Sequence, residues 1–160
     1  MYPTKNDLPE LTRAQMIVTR NLRLADAIAL QTQAKQAHWN VKGPHFIGLR
    51  KLFDEISEAT LEYIDLIAER VVQLGGVAEG TARMAVQRAQ LKPYPLDISS
   101  GKDHCEALSS ALSTFGKAVR QGIDEADSAG DKDTSDLFTQ VSRGTDQWLW
   151  FVEAHLQADA

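Results

Sequence analysis

The chain has 160 residues, of which 43% are hydrophobic and 24% charged, and this predicts one soluble domain with a substantial core. A formal net charge of −5 excludes a generally basic surface, so nucleic-acid binding would need a local cluster of lysine and arginine. Cys105 is the only cysteine, and neither a signal peptide nor an apolar run long enough to span a membrane is recognisable. We therefore expect a cytoplasmic protein without membrane contact.

Apolar residues recur at three- and four-residue intervals in four long segments, which is the periodicity of amphipathic helices. Turn residues at positions 40–44 (Asn-Val-Lys-Gly-Pro) separate the first two segments, and Gly75-Gly76 ends the second. The predicted helices span residues 8–39, 45–74, 101–129 and 134–155.

A long connection, residues 77–100, joins the second and third predicted helices. Thr81 is a candidate N-cap for a short helix that runs through Ala89, and Pro93 and Pro95 favour an extended segment after it. No alternating strand pattern is present. The sequence thus predicts an all-α, ferritin-like four-helix bundle with a short extra helix in this connection. We expect a single domain over residues 1–160, in which residues 1–8 form a short, flexible N-terminal segment.

Acidic residues form a line along the second predicted helix. Asp54, Glu58, Asp65 and Glu69 share about a third of its circumference, Arg50 precedes them, and the apolar stripe lies elsewhere. Such a line is either a solvated helix face or a row of oxygen ligands for a metal ion. No glutamate is followed by a histidine three residues later, so the inward-facing Glu-x-x-His pattern is absent. A metal site here would need ligands from another subunit.

Histidine is the other ligand type to consider. His38 ends the first predicted helix and is either a metal ligand or a partner for the helix C-terminal carbonyl groups. His45, His104 and His155 have no ligand spacing, so surface or capping roles are predicted for them. Cys105 is interpreted as structural, and the aromatic residues of segment 148–151 are interpreted as core and interface packing.

Several motifs occur together and in order along the chain. They are KQAHWNVKGP at residues 35–44, LFDE at 52–55, DLIAER at 65–70, LGG at 74–76, LKPYPLD at 91–97 and LWFVE at 149–153. This set resembles the Dps family, the DNA-binding proteins from starved cells, over residues 10–156. The resemblance implies a spherical shell of twelve ferritin-like subunits around a cavity for iron. Members oxidise Fe(II) with hydrogen peroxide or O2 and store the ferric product.

The same resemblance implies a set of site residues. By position, His38 and Asp54 would be iron ligands from one subunit, and Asp65 and Glu69 would come from its two-fold partner. Trp39 would lie beside the iron and intercept one-electron oxidation products. Two further acidic residues would line the pores through which iron enters the shell, namely Asp133 and Asp136.

The chain departs from the family pattern in two respects. Arg50 stands where the family has a second histidine, so a ligand is replaced by a permanent cation that can pair with Asp54 or with a partner's Glu69. His45 is a possible substitute ligand. The chain also has no lysine-rich tail to neutralise phosphates, so we expect weak or no DNA binding.

Three functions follow from these observations. The leading one is an iron-storing mini-ferritin with ferroxidase activity, which protects against oxidative stress. The second is a structural or storage shell whose oxidation site is impaired or closed by Arg50. The third, which the charge and the tails disfavour, is a DNA-binding protector.

Overall fold

A computed structural model of the chain describes residues 1–158, and this part contains five α-helices and no strand. The helices are α1 (Glu10–Asn40), α2 (Phe46–Gln73), α3 (Ala82–Arg88), α4 (Gly101–Ser128) and α5 (Lys132–Glu153). The long helices form a bundle in which α1 packs along α2 and α4 along α5, while the short helix α3 packs on α1. The predicted all-α bundle with a short helix in the long connection is confirmed. The predicted domain end at residue 160 lies outside the described residues.

The core is continuous through the bundle. It is built from the apolar faces that the periodicity predicts, including Leu24, Leu30, Phe53, Ile56, Ile67, Leu108, Leu112, Phe115, Phe138 and Val141. Burial of these side chains is the main force that holds the four long helices together. None of the described helices is long and apolar enough to cross a membrane.

The helix ends follow local chemistry. Thr81, Ser100 and Asp131 are N-caps of α3, α4 and α5, and each side chain accepts a hydrogen bond from a backbone amide of the first turn. The cap predicted at Thr81 is therefore confirmed. After α2 the chain turns through Gly75, whose φ of +86° favours glycine.

The turn between α1 and α2 positions the residues of interest. It passes through Gly43, whose φ is +114°, and is fixed to the start of α4 by a hydrogen bond of 2.8 Å from the Lys42 amide to the Ser99 carbonyl. Because this turn is short, the last turn of α1 lies beside the first two turns of α2. His38 and Asp54, 16 residues apart in sequence, are thereby brought together.

Candidate metal centre

His38 is held in one orientation by the backbone of α2. Its side chain is buried, and its Nδ1 atom lies 2.8 Å from the carbonyl oxygen of Arg50. Since a carbonyl oxygen only accepts, Nδ1 must carry the proton and donate it. The Nε2 atom of the neutral ring then keeps its lone pair. Metal-binding histidines are commonly oriented in this way, with the non-ligating nitrogen donating to a backbone carbonyl.

Asp54 lies next to His38 and is ionised. Its Oδ1 atom is 3.7 Å from His38 Nδ1, and the side chain is 34% exposed. A hydrogen bond from the Lys35 ammonium lowers the pKa of Asp54, and the positive charges of Lys35 and Arg50 lower it further. An imidazole and a carboxylate are thus side by side, which is half of the predicted ligand set.

Lys35 was not predicted as part of this site. Its Nζ atom donates to Asp54 Oδ1, so a cation occupies one of the two oxygens that a metal would use. The sequence contains a signal for this contact, because Lys35 precedes His38 by three residues and so shares its helix face.

Arg50 does not make the predicted pair with Asp54. It is exposed, and its guanidinium is in none of the ion pairs within 4.0 Å found among residues 1–158. The Lys35 ammonium reaches Asp54 from α1 instead, and the long Arg50 side chain extends into solvent. Within one chain Arg50 therefore forms no direct ion pair with Asp54, although its charge still lowers the pKa of Asp54, and its effect on metal binding stays a prediction. A pair between Arg50 and a partner's Glu69 stays a prediction.

Asp65 and Glu69 lie on the same side of α2 but too far from Asp54 to share an ion with it. Asp65 is 11 residues further along the helix, which at 1.5 Å per residue is about 16 Å. Both side chains are exposed. In the part of the chain that the structure describes, no three histidine, cysteine, aspartate or glutamate side chains converge on a point that could hold a metal. Of the four predicted ligands, one copy therefore brings together only His38 and Asp54, and we call these two residues, and likewise Asp65 and Glu69, candidate half-sites.

The face that carries these half-sites is also apolar. Ile47, Leu61 and Val72 are exposed, and their offsets from Asp54 place them within about 20° of it around α2. Trp39, at the end of α1, is 66% exposed. An exposed apolar face of this kind, with polar residues among it, is typical of a protein–protein interface. A two-fold axis crossing α2 would bring Asp65 and Glu69 of one copy to Asp54 of the other.

The two predicted pore residues lie near the start of α5. Asp133 and Asp136 are exposed, and Asp133 is 3.6 Å from the guanidinium of Arg70. They stand beside the buried carboxylate of Asp131, which accepts from Arg70 at 2.9 Å and pairs with Arg20 at 3.5 Å. Their position in a pore stays a prediction, since a pore would involve other subunits.

The class of protein is given by a family comparison. Residues 21–160 match the model of the ferritin-like domain, which is most of the chain. A relative from Agrobacterium fabrum, named DNA protection during starvation protein, is 44% identical over 156 residues, covering 98% of this chain and 96% of that protein.

Solved structures agree with this assignment. DpsA14 from Streptomyces coelicolor aligns with a TM-score of 0.92 and 31% identity, covering 98% of this chain and 92% of that one. Dps from Microbacterium arborescens in its high iron form aligns with a TM-score of 0.86 and 27% identity, covering 97% and 99% of the two chains. The fold and the family match define a ferritin-like protein. Within that class, the chain belongs to the Dps family, as the sequence motifs predicted.

Proposed function

We propose that this protein is an iron-storing mini-ferritin that oxidises Fe(II) and keeps the ferric product inside a hollow shell of twelve copies. Membership of the Dps family supports the proposal, as does the similarity to a Dps described in a high iron form. The exposed apolar face of α2, which carries Ile47, Leu61 and Val72, supports self-association.

The observation that carries the proposal is the half-site of His38 and Asp54. The imidazole has a free Nε2 lone pair because Nδ1 donates to the Arg50 carbonyl, and Asp54 is an ionised neighbour. Asp65 and Glu69 of a two-fold partner would complete a set of one nitrogen and several oxygen ligands. Such a set suits Fe(II), and exposed coordination positions would remain for an oxidant.

The chemistry is an oxidation in which Fe(II) is the substrate. Two Fe(II) ions give one electron each to one hydrogen peroxide, which takes up two protons and leaves as two waters. Because both electrons reach the same peroxide, no free hydroxyl radical is released, and iron is removed from harmful one-electron chemistry. The exposed carboxylates of Asp133 and Asp136 would attract Fe(II) at the entry pores.

A second candidate is a storage shell with an impaired oxidation site. Lys35 favours it, because this cation already binds the Asp54 carboxylate, and Arg50 adds another positive charge nearby. To bind Asp54, a divalent ion must displace the Lys35 ammonium or bind beside it, and it must do so against the repulsion of the Arg50 charge. Under this alternative the shell would assemble and hold ferric mineral but would oxidise Fe(II) no faster than solution does.

Stopped-flow measurement of Fe(II) oxidation by hydrogen peroxide distinguishes the two candidates. The native shell should oxidise Fe(II) rapidly and with saturation, and Asp54→Asn should return the rate to the protein-free value. Glu55→Gln is the matched control, because Glu55 is an exposed neighbour about 100° away around α2.

The Arg50→His variant completes this experiment. A native shell that is inactive while Arg50→His is active would support the impaired site. Inactivity of both proteins, in shells shown to be intact, would contradict the proposed ferroxidase function.

A further inference from the structure

A hydrogen-bonded tyrosine–histidine pair lies where the long connection meets α4. The Tyr94 hydroxyl is 2.7 Å from Nδ1 of His104, and the two rings are stacked at 5.9 Å between centroids with an interplanar angle of 18°. His104 is 1% exposed, so the surface role predicted for it is wrong, whereas its interaction with the backbone of Asn40, the last residue of α1, agrees with the capping role. The misassignment arose because one histidine at the start of a helix has no pattern that indicates burial.

The pair contacts residues that are adjacent in sequence to those of the candidate metal centre. The Phe53 ring, next to Asp54 in sequence, packs on His104 at 6.4 Å between centroids. The backbone of Asn40, which follows Trp39, also lies near His104 and acts to raise its pKa. Contacts therefore run from both helices of the half-site to this pair. Tyr94 also lines a cleft of about 200 Å³ that is open to solvent.

The arrangement favours transfer of a proton from the phenol to the imidazole. Burial lowers the pKa of His104, which favours the neutral ring at physiological pH, and in the tautomer with its proton on Nε2 the Nδ1 atom accepts from the tyrosine hydroxyl. Burial raises the pKa of Tyr94, so the phenol keeps its proton until something removes an electron. A phenol loses an electron much more readily when a base takes its proton at the same time.

Tyr63 provides a comparison within the same core. It is also buried, but its partner is the indole of Trp148, which only donates hydrogen bonds. The charge of Glu62 also acts on Tyr63, but among residues 1–158 no base is hydrogen-bonded to the Tyr63 hydroxyl. Tyr2, the remaining tyrosine, is exposed at the N-terminal segment. Only Tyr94 combines a buried acceptor with contacts to the candidate metal centre and an opening to the exterior.

We propose that Tyr94 and His104 form a one-electron donor that quenches strong radical oxidants produced at the candidate metal centre. In the reaction, Tyr94 gives one electron to a hydroxyl radical and its phenolic proton to His104 Nδ1. The hydroxyl radical becomes hydroxide, which takes a proton from solvent to form water. A thiol or ascorbate in solution then reduces the neutral tyrosyl radical through the cleft, and His104 returns the proton.

The source of the radical rests on the proposed function, because a lone Fe(II) reducing peroxide by one electron yields Fe(III), hydroxide and a hydroxyl radical. The redox competence of the pair does not depend on iron. It is tested first in the iron-free assembled protein with photo-oxidised ruthenium tris-bipyridine as the one-electron oxidant, followed by rapid freezing and electron paramagnetic resonance.

The native protein and Tyr63→Phe should give the same neutral tyrosyl radical signal, and Tyr94→Phe should lose it. His104→Gln, which removes the base, should slow radical formation by at least about tenfold, and the slowing in D2O seen with the native protein should disappear. A signal that survives in Tyr94→Phe, that is lost in Tyr63→Phe, or that belongs only to tryptophan would overturn the proposal.

A second arm uses Fe(II) with less than stoichiometric peroxide and peptide mass spectrometry. Tyr94→Phe should consume Fe(II) at the native rate but accumulate at least about twice as much oxidised Trp39, because the alternative donor is missing. Equal Trp39 oxidation in the two proteins would contradict the quenching role. If no protein oxidises Fe(II), the proposed function fails, while the photochemical result on Tyr94 stands by itself.

Discussion

At the scale of single residues, Lys35 determines how readily Asp54 can accept a metal. The ammonium is hydrogen-bonded to the carboxylate, and both groups are about one-third exposed. A divalent ion about 5.5 Å from this charge would be opposed by roughly 1.5 kcal/mol in a water-like environment. Lys35 therefore keeps Asp54 ionised and at the same time competes with the ion for it.

We predict that Lys35→Met strengthens divalent metal binding about tenfold, since removing the cation removes that opposition. The measurement is calorimetric titration of the assembled, iron-free protein with Co(II), which resists oxidation. Lys51→Met is the matched control, because Lys51 is an exposed lysine of α2 without an ion pair to Asp54. Unchanged or weaker binding by Lys35→Met, with a normal control, would show that Lys35 holds the half-site together and does not compete with the metal.

The residues of the half-site were only partly predictable from the sequence. His38 and Asp54 were identified through their motifs, and the structure brings them to 3.7 Å. The sequence did not indicate which cation would reach Asp54. Arg50 lies one turn before Asp54 on α2, whereas Lys35 lies on α1, so the choice depends on how α1 packs on α2. Burial of His104 likewise depends on where the long connection crosses α4.

At the scale of secondary structure elements, Asp131 joins three helices at one end of the bundle. It caps α5 through Thr134, and its carboxylate meets Arg70 of α2 and the fully buried Arg20 of α1. Burial opposes its ionisation, but the hydrogen bonds from Thr134 and Arg70 outweigh this effect and lower the pKa of Asp131. Burial also lowers the pKa of Arg20, to about 9.

We predict that Asp131→Asn destabilises the subunit by about 3 kcal/mol, because two guanidinium groups lose their common counter-ion in a buried position. For a chain of this size the midpoint of thermal unfolding should fall by about 10 °C, measured by circular dichroism. Asp127→Asn is the control, since Asp127 is exposed and its one ion pair among residues 1–158 is with Lys132. Equal midpoints for the two variants would contradict the assigned role of Asp131.

The same carboxylate predicts a dependence of stability on pH. Because the pKa of Asp131 is lower in the folded chain than the ordinary value near 4, its contribution is complete above about pH 4. That contribution is lost as the pH falls through the folded-state pKa. The free energy of unfolding of the native protein should therefore decrease more steeply in acid than that of Asp131→Asn, as denaturant titrations at several pH values would measure. Parallel curves would contradict this linkage.

The elements themselves were the most predictable part. Apolar periodicity gave all four long helices, because burial of one helix face against the core requires it, and N-cap chemistry gave the short helix after Thr81. The boundaries differ by a few residues. The last helix, for example, begins at Lys132 and not at residue 134, because Asp131 provides the cap, and a sequence with several aspartates in a row does not reveal which one does so.

At the scale of the whole molecule, the proposed metal centre would require two copies of the chain. Asp54 and Asp65 are about 16 Å apart along one helix, so a two-fold pair would contain two equivalent sites, each with His38 and Asp54 from one copy and Asp65 and Glu69 from the other. The exposed Leu61, which lies between Asp54 and Asp65, and the exposed Val72, which follows Glu69 by three residues, provide apolar surface for the pairing. Ligand sharing of this kind has a consequence that a site within one chain would lack.

Two inactive variants should restore activity to each other when they assemble together. Asp54→Asn removes a ligand from one half-site and Glu69→Gln from the other, so each protein alone should oxidise Fe(II) at the protein-free rate. In a mixed pair, one site carries both substitutions and the other carries neither. With random mixing, half of the pairs are mixed, so co-expressed shells purified through two different tags should recover about one quarter of the native rate.

Shells of the two variants that are purified separately and then combined are the control, and they should stay inactive because their subunits do not exchange. Absence of recovery in the co-assembled shells, with both variants shown to be present, would place all the ligands within one chain and contradict the shared centre. Recovery in the unmixed control would indicate subunit exchange, which native mass spectrometry of differently tagged shells would detect. A result near one quarter in the co-assembled shells alone is the outcome that only ligand sharing between two-fold partners explains.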